Sequence, residues 1–182
     1  MAEIKLGSTV RRLREAKRLS LRAIAEQSGF SASFISQVEN DQASPSIASL
    51  ERIAGAFGLT LAEFFQELDG TEPASRLEPE ARVTFRSEWS KAHIAYLSTG
   101  HPAARILPLL VTLDAEGSSG SRPFPAPSEE FALVLEGPVV LTTGRGDQVL
   151  ETGQAVTIQA GEARRWHNAT SGPVRFLIVA VR

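Results

Sequence analysis

Two spacings of apolar residues divide the chain. Up to about residue 68 they recur every three or four positions, the period of a helix that buries one face. Val10 and Leu13 share a face of a helix that starts near Ser8. Ser20 caps a second helix, which turns Ile24 and Ala25 inward and stops at Gly29. Ser31 caps a third. Ser46, after Pro45, caps a fourth with Leu50, Ile53, Ala54 and Phe57 on one face. Thr60 and Glu63 form a capping box for a fifth, carrying Leu61, Phe64 and Phe65. Short helices with tight connections predict a compact bundle of about 65 residues.

The pattern then changes. "LDGTEPASRLEPEAR" is rich in proline, glycine and charge and reads as a linker, placed at 69–82 between a helical domain at 1–68 and a second domain at 83–182. Beyond it, short runs of β-formers alternate with turns: "ARVTFRS", "ARILPLLVTL", "EEFALVLEG", "VVLTTG", "AVTIQAG" and "VRFLIVAVR", punctuated by "GSSGS" and "GRGD". Closely spaced strands with no helical pattern between them predict a β-sandwich or small barrel.

Composition adds little until it is read locally. Hydrophobic residues make up 42% of the 182, enough for two cores, and the formal net charge is only −2. Yet Lys5, Arg11, Arg12, Arg14, Lys17, Arg18 and Arg22 face a single acid, Glu15, between positions 5 and 22. A basic end of this kind can act on a polyanion although the whole chain is slightly acidic. There is no cysteine, which excludes disulfides and cysteine-held zinc and suits a reducing compartment. No stretch reaches the roughly 20 apolar residues of a membrane span. The N-terminus lacks a signal peptide's apolar core. The expectation is a soluble cytoplasmic protein with no membrane contact.

The third helix carries the functional signal. At about 100° per residue, Phe34, Ile35, Val38 and Glu39 share one arc, and Ala32, Ser33, Ser36, Gln37 and Asn40 share the other. Phe30 is placed to staple onto Ile35. A face that only had to be solvated would carry Lys and Glu. Short neutral hydrogen-bonding side chains instead allow close approach to base edges in a DNA major groove, where Gln pairs bidentately with adenine and Ser bonds several bases. The helix start at Ser31 suits a phosphate.

The stretches "LGSTVRRLREAKRLSLRAIAEQSGFSASFISQVEN" and "SPSIASLERIAGAFGLTLAEFF" resemble the lambda-repressor-type helix-turn-helix domain of the xenobiotic-response-element (XRE) family of regulators, over residues 6–66. The resemblance implies that the helix headed by Ser31 is the recognition helix. It implies base contacts from Ala32, Ser33, Ser36 and Gln37, and phosphate contacts near Ser31, Asn40 and Ser44, with Arg22 a further phosphate candidate. It also implies an internal ion pair between Arg14 and Glu39. Asp41 stands where the family usually has glycine, an acid that would weaken a local backbone contact.

"EEFALVLEG" and "ETGQAVTIQAGEARRWHN" resemble the two conserved segments of a cupin, a small antiparallel β-barrel, over residues 105–182. Metal-binding cupins set two histidines and a glutamate in the first segment and a histidine in the second. Laid on that pattern, the histidine positions fall on Phe124, Ala126 and Arg164, and the glutamate is Glu130. Phe and Ala cannot ligate, and Arg does not give up its proton. His93, His101 and His167 lack ligand spacing, and no Ser–His–Asp or paired-acid arrangement replaces the metal. No cofactor, no metal and no catalysis are expected.

What remains is a barrel mouth marked by Phe124, Ala126, Glu130 and Arg164. Two readings stay open: Arg164 and Glu130 pair and seal the barrel, or Arg164 clamps the carboxylate of a small effector. Trp166 is read as packing. Together the halves predict a one-chain regulator, a homodimer on a palindromic operator in double-stranded DNA, with a small-molecule effector in the cupin. The alternatives are a cupin metalloenzyme tethered to a helix-turn-helix, and an antitoxin-like regulator, against which a folded cupin argues.

Overall fold

The computed structural model describes residues 6–68, 82–97 and 104–181. Residues 69–81, nearly all of the expected linker, lie outside them, as does His101. The helices are α1 (Leu6–Ala16), α2 (Leu21–Ser28), α3 (Ala32–Glu39), α4 (Ile47–Ala56) and α5 (Leu61–Leu68). Their limits follow from the caps. Ser20, Ser31 and Ser46 each sit in extended backbone and accept from the N–H three residues on. Gly29 closes α2 in the left-handed region, at φ 69°, where a Cβ would be strained. Thr60 and Glu63 make the reciprocal box at α5.

Two details sharpen the expectation. α1 starts two residues earlier than Ser8, because the N–H of Gly7 is satisfied from outside the helix, by Asp41 Oδ1 at 2.9 Å. Phe30 packs on the ring of Phe34, with centroids 4.9 Å apart, and the Arg52 guanidinium lies over the Phe30 ring, 4.1 Å from its centre. Ile35 is fully buried in the bundle core.

The β-domain has a large sheet in the order β1-β2-β3-β10-β5-β8, made of β1 (Val83–Ser87), β2 (Ala92–Tyr96), β3 (Ile106–Leu113), β10 (Val174–Val181), β5 (Glu130–Glu136) and β8 (Ala155–Ile158). A smaller sheet runs β4-β9-β6-β7, made of β4 (Phe124–Pro125), β9 (Ala163–His167), β6 (Val139–Thr143) and β7 (Gly146–Leu150). All pairings are antiparallel. Alternate residues of β3 and β10, among them Leu107, Leu109, Val111, Phe176 and Ile178, fill the space between the sheets. Among the described residues, the architecture is a domain of five helices followed by an all-β cupin barrel.

The bundle packs against the barrel through α4 and α5. Phe65 of α5 lies 6.4 Å from Tyr96 and 6.5 Å from Phe85, ring centre to ring centre. Ala48 N–H of α4 donates to Ser119 O at 2.8 Å. Gly120 passes so close to Ala48 that a Cβ there would lie 2.7 Å from the alanine methyl. Apolar residues of both halves merge into one buried cluster.

Candidate functional site

The outward face of α3 is built from the inside. Ile35 and Val38 are fully buried, and Glu39 is gripped by Arg14 of α1, Nε to Oε1 at 2.6 Å and Nη2 to Oε2 at 3.0 Å. The third Arg14 nitrogen, Nη1, donates to Leu19 O at 3.2 Å. The hydrogen bonds to Glu39 hold the Arg14 guanidinium proton more firmly than usual. α1 meets α3 at Gly7, where a Cβ would be 2.5 Å from Glu39 O and 2.6 Å from Val38 O. Only glycine admits that approach.

Ser31, Ser33, Gln37 and Asn40 are exposed on the opposite side, with Ala32 and Ser36 half-buried. Ser31 Oγ accepts from Phe34 N. Asn40 Nδ2 donates back to Ser36 O at 2.8 Å, so its amide lies along α3 rather than projecting from it. Arg22 is exposed in the first turn of α2. Ser44, in the α3–α4 loop, accepts from Glu88 N of the β1–β2 turn at 3.3 Å, so it touches the barrel as well as solvent.

Asp41 makes a contact within the bundle that the sequence does not show. It adopts φ 55°, the left-handed conformation that glycine takes most readily. Its exposed carboxylate accepts from Gly7 N–H in the first turn of α1, where a negative charge meets the helix dipole favourably.

In the barrel, Arg164 on β9 and Glu130 on β5 are both buried and paired, Nε to Oε2 at 2.9 Å and Nη2 to Oε1 at 2.7 Å. The centre has a third member. Glu51, from the buried face of α4 in the other domain, takes the remaining edge of the guanidinium, Oε1 to Nη2 at 2.6 Å and Oε2 to Nη1 at 3.2 Å. Phe124 O accepts from Nη1 at 3.1 Å. Burial pushes the Glu130 carboxyl up and Glu51 adds to that, although Arg164 pulls it down. For Arg164 burial alone would lower the pKa, and the two facing carboxylates outweigh it and raise it. The only hint of Glu51 in the sequence is an acid on the apolar side of α4, one residue after Leu50.

A small cavity of about 30 Å³, room for one or two waters, lies beside this triad. Phe124, Glu130 and Arg164 line it, and Glu51, Leu61 and Ala62 close it from the helical side. Ala126 is buried but lies outside it, in a wider cleft of about 500 Å³ between the β4–β5 connection and α2 and α4. Trp166 lines the small cavity, is buried, and its Nε1 has no hydrogen-bond partner among the described residues.

The residues at the cupin metal positions do not fit a metal. Both Glu130 oxygens bind Arg164, and Phe124 and Ala126 supply no side-chain donor atom. Among the described residues no group of three or more His, Cys, Asp or Glu could hold an ion. Nor, among them, is any helix long and apolar enough to cross a membrane.

A capped helix offered on a helical bundle, docked on a β-barrel whose buried arginine pairs with two glutamates, defines a cupin-bearing helix-turn-helix protein. Residues 5–64 match the helix-turn-helix domain family and residues 109–180 the cupin domain family. The chain is 30% identical over 172 residues to the HTH-type transcriptional regulator PuuR of Escherichia coli (strain K12), spanning 94% of this chain and 91% of that protein. It is 23% identical over 171 residues to the HTH-type transcriptional regulator SutR of the same organism, with the same 94% and 91% coverage. The crystal structure of an HTH_3 family transcriptional regulator from Vibrio cholerae superposes with a TM-score of 0.71 at 23% identity, over 98% of this chain and 96% of that one, and so shares its fold. The chain belongs to the family of HTH-type transcriptional regulators that join an XRE-type DNA-binding domain to a cupin domain.

Proposed function

We propose that the protein is a homodimeric, sequence-specific regulator that reads a palindromic operator through α3 and responds to a small effector held by its cupin, without a metal and without catalysis. The observation that carries this reading is the two-sidedness of α3. Its inner side is fixed by Ile35, Val38 and the Arg14–Glu39 pair, while Ser33 and Gln37 are presented to solvent on a helix capped by Ser31. A helix held so firmly, with uncharged hydrogen-bonding groups outward, suits direct readout of base edges.

The dimer is supported by the outer side of the large sheet. Ile106 and Leu110 on β3, Leu177 and Val181 on β10, and Phe131 and Leu135 on β5 point away from the barrel interior. Ile106, Phe131, Leu135 and Val181 are exposed, an apolar surface that a second copy of the chain would cover. Against an enzyme stands the donor set, since Arg164 occupies both Glu130 oxygens.

Selection of binding sites from a random duplex library by the full-length chain tests the proposal. The expected product is a two-fold symmetric motif with half-sites about 34–36 Å apart. Failure to enrich any motif at moderate salt rejects the operator reading.

A further inference from the structure

Resting on that reading, we propose that Glu51 is a built-in occupant of the cupin's anion clamp, and that a small carboxylate ligand with an apolar body displaces it and re-seats the helical domain on the barrel. The guanidinium of Arg164 has two usable edges. One is committed to Glu130 within the barrel. The other, Nη1 and Nη2, holds a carboxylate that belongs to a different domain. The two-point geometry is that of any carboxylate on an arginine fork. Glu51 therefore marks both the position and the chemical class of the ligand group.

The remainder of the ligand is defined by the walls. Ile94, Leu109, Val111, Phe176 and Ile178 make the cavity apolar. Trp166 Nε1 is a buried donor with no hydrogen-bond partner among the described residues, and it offers a place for one ligand oxygen. With Glu51 in place the space holds one or two waters and no organic acid of several carbons. Ligand and Glu51 thus exclude each other. Ile47, Ala48, Leu61 and Ala62 line the same space, so α4 has to shift for the ligand to enter.

Displacement is energetically open. A buried triad of two carboxylates and one guanidinium carries a large desolvation cost that its attraction only roughly offsets, so docking through Glu51 lies near balance. The helical domain does not come free, because Phe65 remains packed on Tyr96 and Phe85. The α4 side swings about that contact. In a dimer such a swing changes the separation of the two α3 helices, which sets the half-site spacing that can be bound.

The test uses the full chain with Trp89→Phe, leaving Trp166 as the fluorescent reporter, and hexanoate as the probe, with hexan-1-ol and hexylammonium as matched controls. Because the chain has no cysteine, Lys17→Cys and Gln148→Cys, both exposed, take spin labels cleanly, and dilution with unlabelled chain removes distances between subunits. Hexanoate is expected to change Trp166 emission and shift the label distance, while the two controls do neither. Glu51→Ala is expected to shift the distance without ligand and to bind hexanoate roughly tenfold or more tightly, since no competitor reduces the competent fraction. Glu51→Gln should follow in the same direction. Equal hexanoate affinity in wild type and both Glu51 variants, or an unmoved label distance, overturns the inference. Selective duplex binding by the same preparations is scored separately, so the regulator reading and the Glu51 clamp stand or fall independently.

Discussion

Glu51 and Arg164 lie 113 positions apart in sequence and 2.6 Å apart in space, joined across the boundary between the two domains. Arg164 is the hub of the contact, since it also binds Glu130 and the carbonyl of Phe124. Removing it leaves two buried carboxylates facing each other. Arg164→Ala should cost about 3–5 kcal/mol of stability, measured by denaturant titration. The apolar replacement Glu51→Leu/Glu130→Met/Arg164→Met should recover most of that loss, because no charge is then buried. A triple variant as unstable as Arg164→Ala would show that packing, not the uncompensated charge, sets the cost.

The same centre sets a pH dependence. The pKa of Glu130 is raised in the folded chain, so the native state binds its proton at a higher pH than the unfolded state does. Its contribution to stability is present below the unfolded value and declines as pH rises above it, through the folded value. Glu130→Gln removes this decline. The stability of wild type relative to Glu130→Gln should fall as pH is raised from about 4.5, the ordinary value for the group. A relative stability that rises over that interval contradicts the assignment.

Arg14 and Glu39 hold α3 against α1, with only 15% and 6% of their side-chain surfaces exposed. Glu39→Ala should destabilise the chain by about 3 kcal/mol, because it strands a largely buried guanidinium. The thermal midpoint should fall before base preference changes. Altered preference at full stability would move Glu39 into the recognition surface.

Asp41 and Gly7 form the other fixing point of that helix pair. Asp41→Ala loses the bond to the α1 N-terminus and keeps a strained positive φ, and is expected to cost about 0.5–2 kcal/mol. Asp41→Gly loses the same bond but relaxes the backbone, so it should cost less. Gly7→Ala drives a methyl into the carbonyls of Val38 and Glu39 and should lower both stability and DNA affinity. Denaturation midpoints of the three variants give the order directly.

The helical half was legible because its caps and stops are local signals. Ser20, Gly29, Ser31, Ser46, Thr60 and Glu63 each act within a few residues of where they stand. The β-half was less so. β9 was missed because "ARRWH" turns Arg164 inward, so a charged core residue interrupts the alternation. β7 is hidden because only Leu150 of "GDQVL" is buried, and β4 because it is two residues with a proline. The site divides the same way. The α3 face follows from a single helix wheel, and the pairing of Arg164 with Glu130 from two segments of one domain. Glu51 could not be found, because its partner is chosen by how one domain rests on the other, and no short-range pattern encodes that. Ala126 was grouped with Arg164 by segment alignment, whereas the β4–β5 connection turns it into the neighbouring cleft.

The central claim is that α3 lies in a major groove with Gln37 on a base edge. The most direct measurement is the affinity of Gln37→Ala for the selected operator and for each single-base variant of it, with Arg22→Ala beside it. The account predicts that Gln37→Ala loses discrimination of about 1–3 kcal/mol at one position per half-site and keeps the salt dependence of the wild type. Arg22→Ala should weaken binding to all sequences alike and reduce the salt slope by about one unit. If Gln37→Ala instead weakens every sequence equally, or leaves the whole profile unchanged, α3 does not read the bases and the account is wrong.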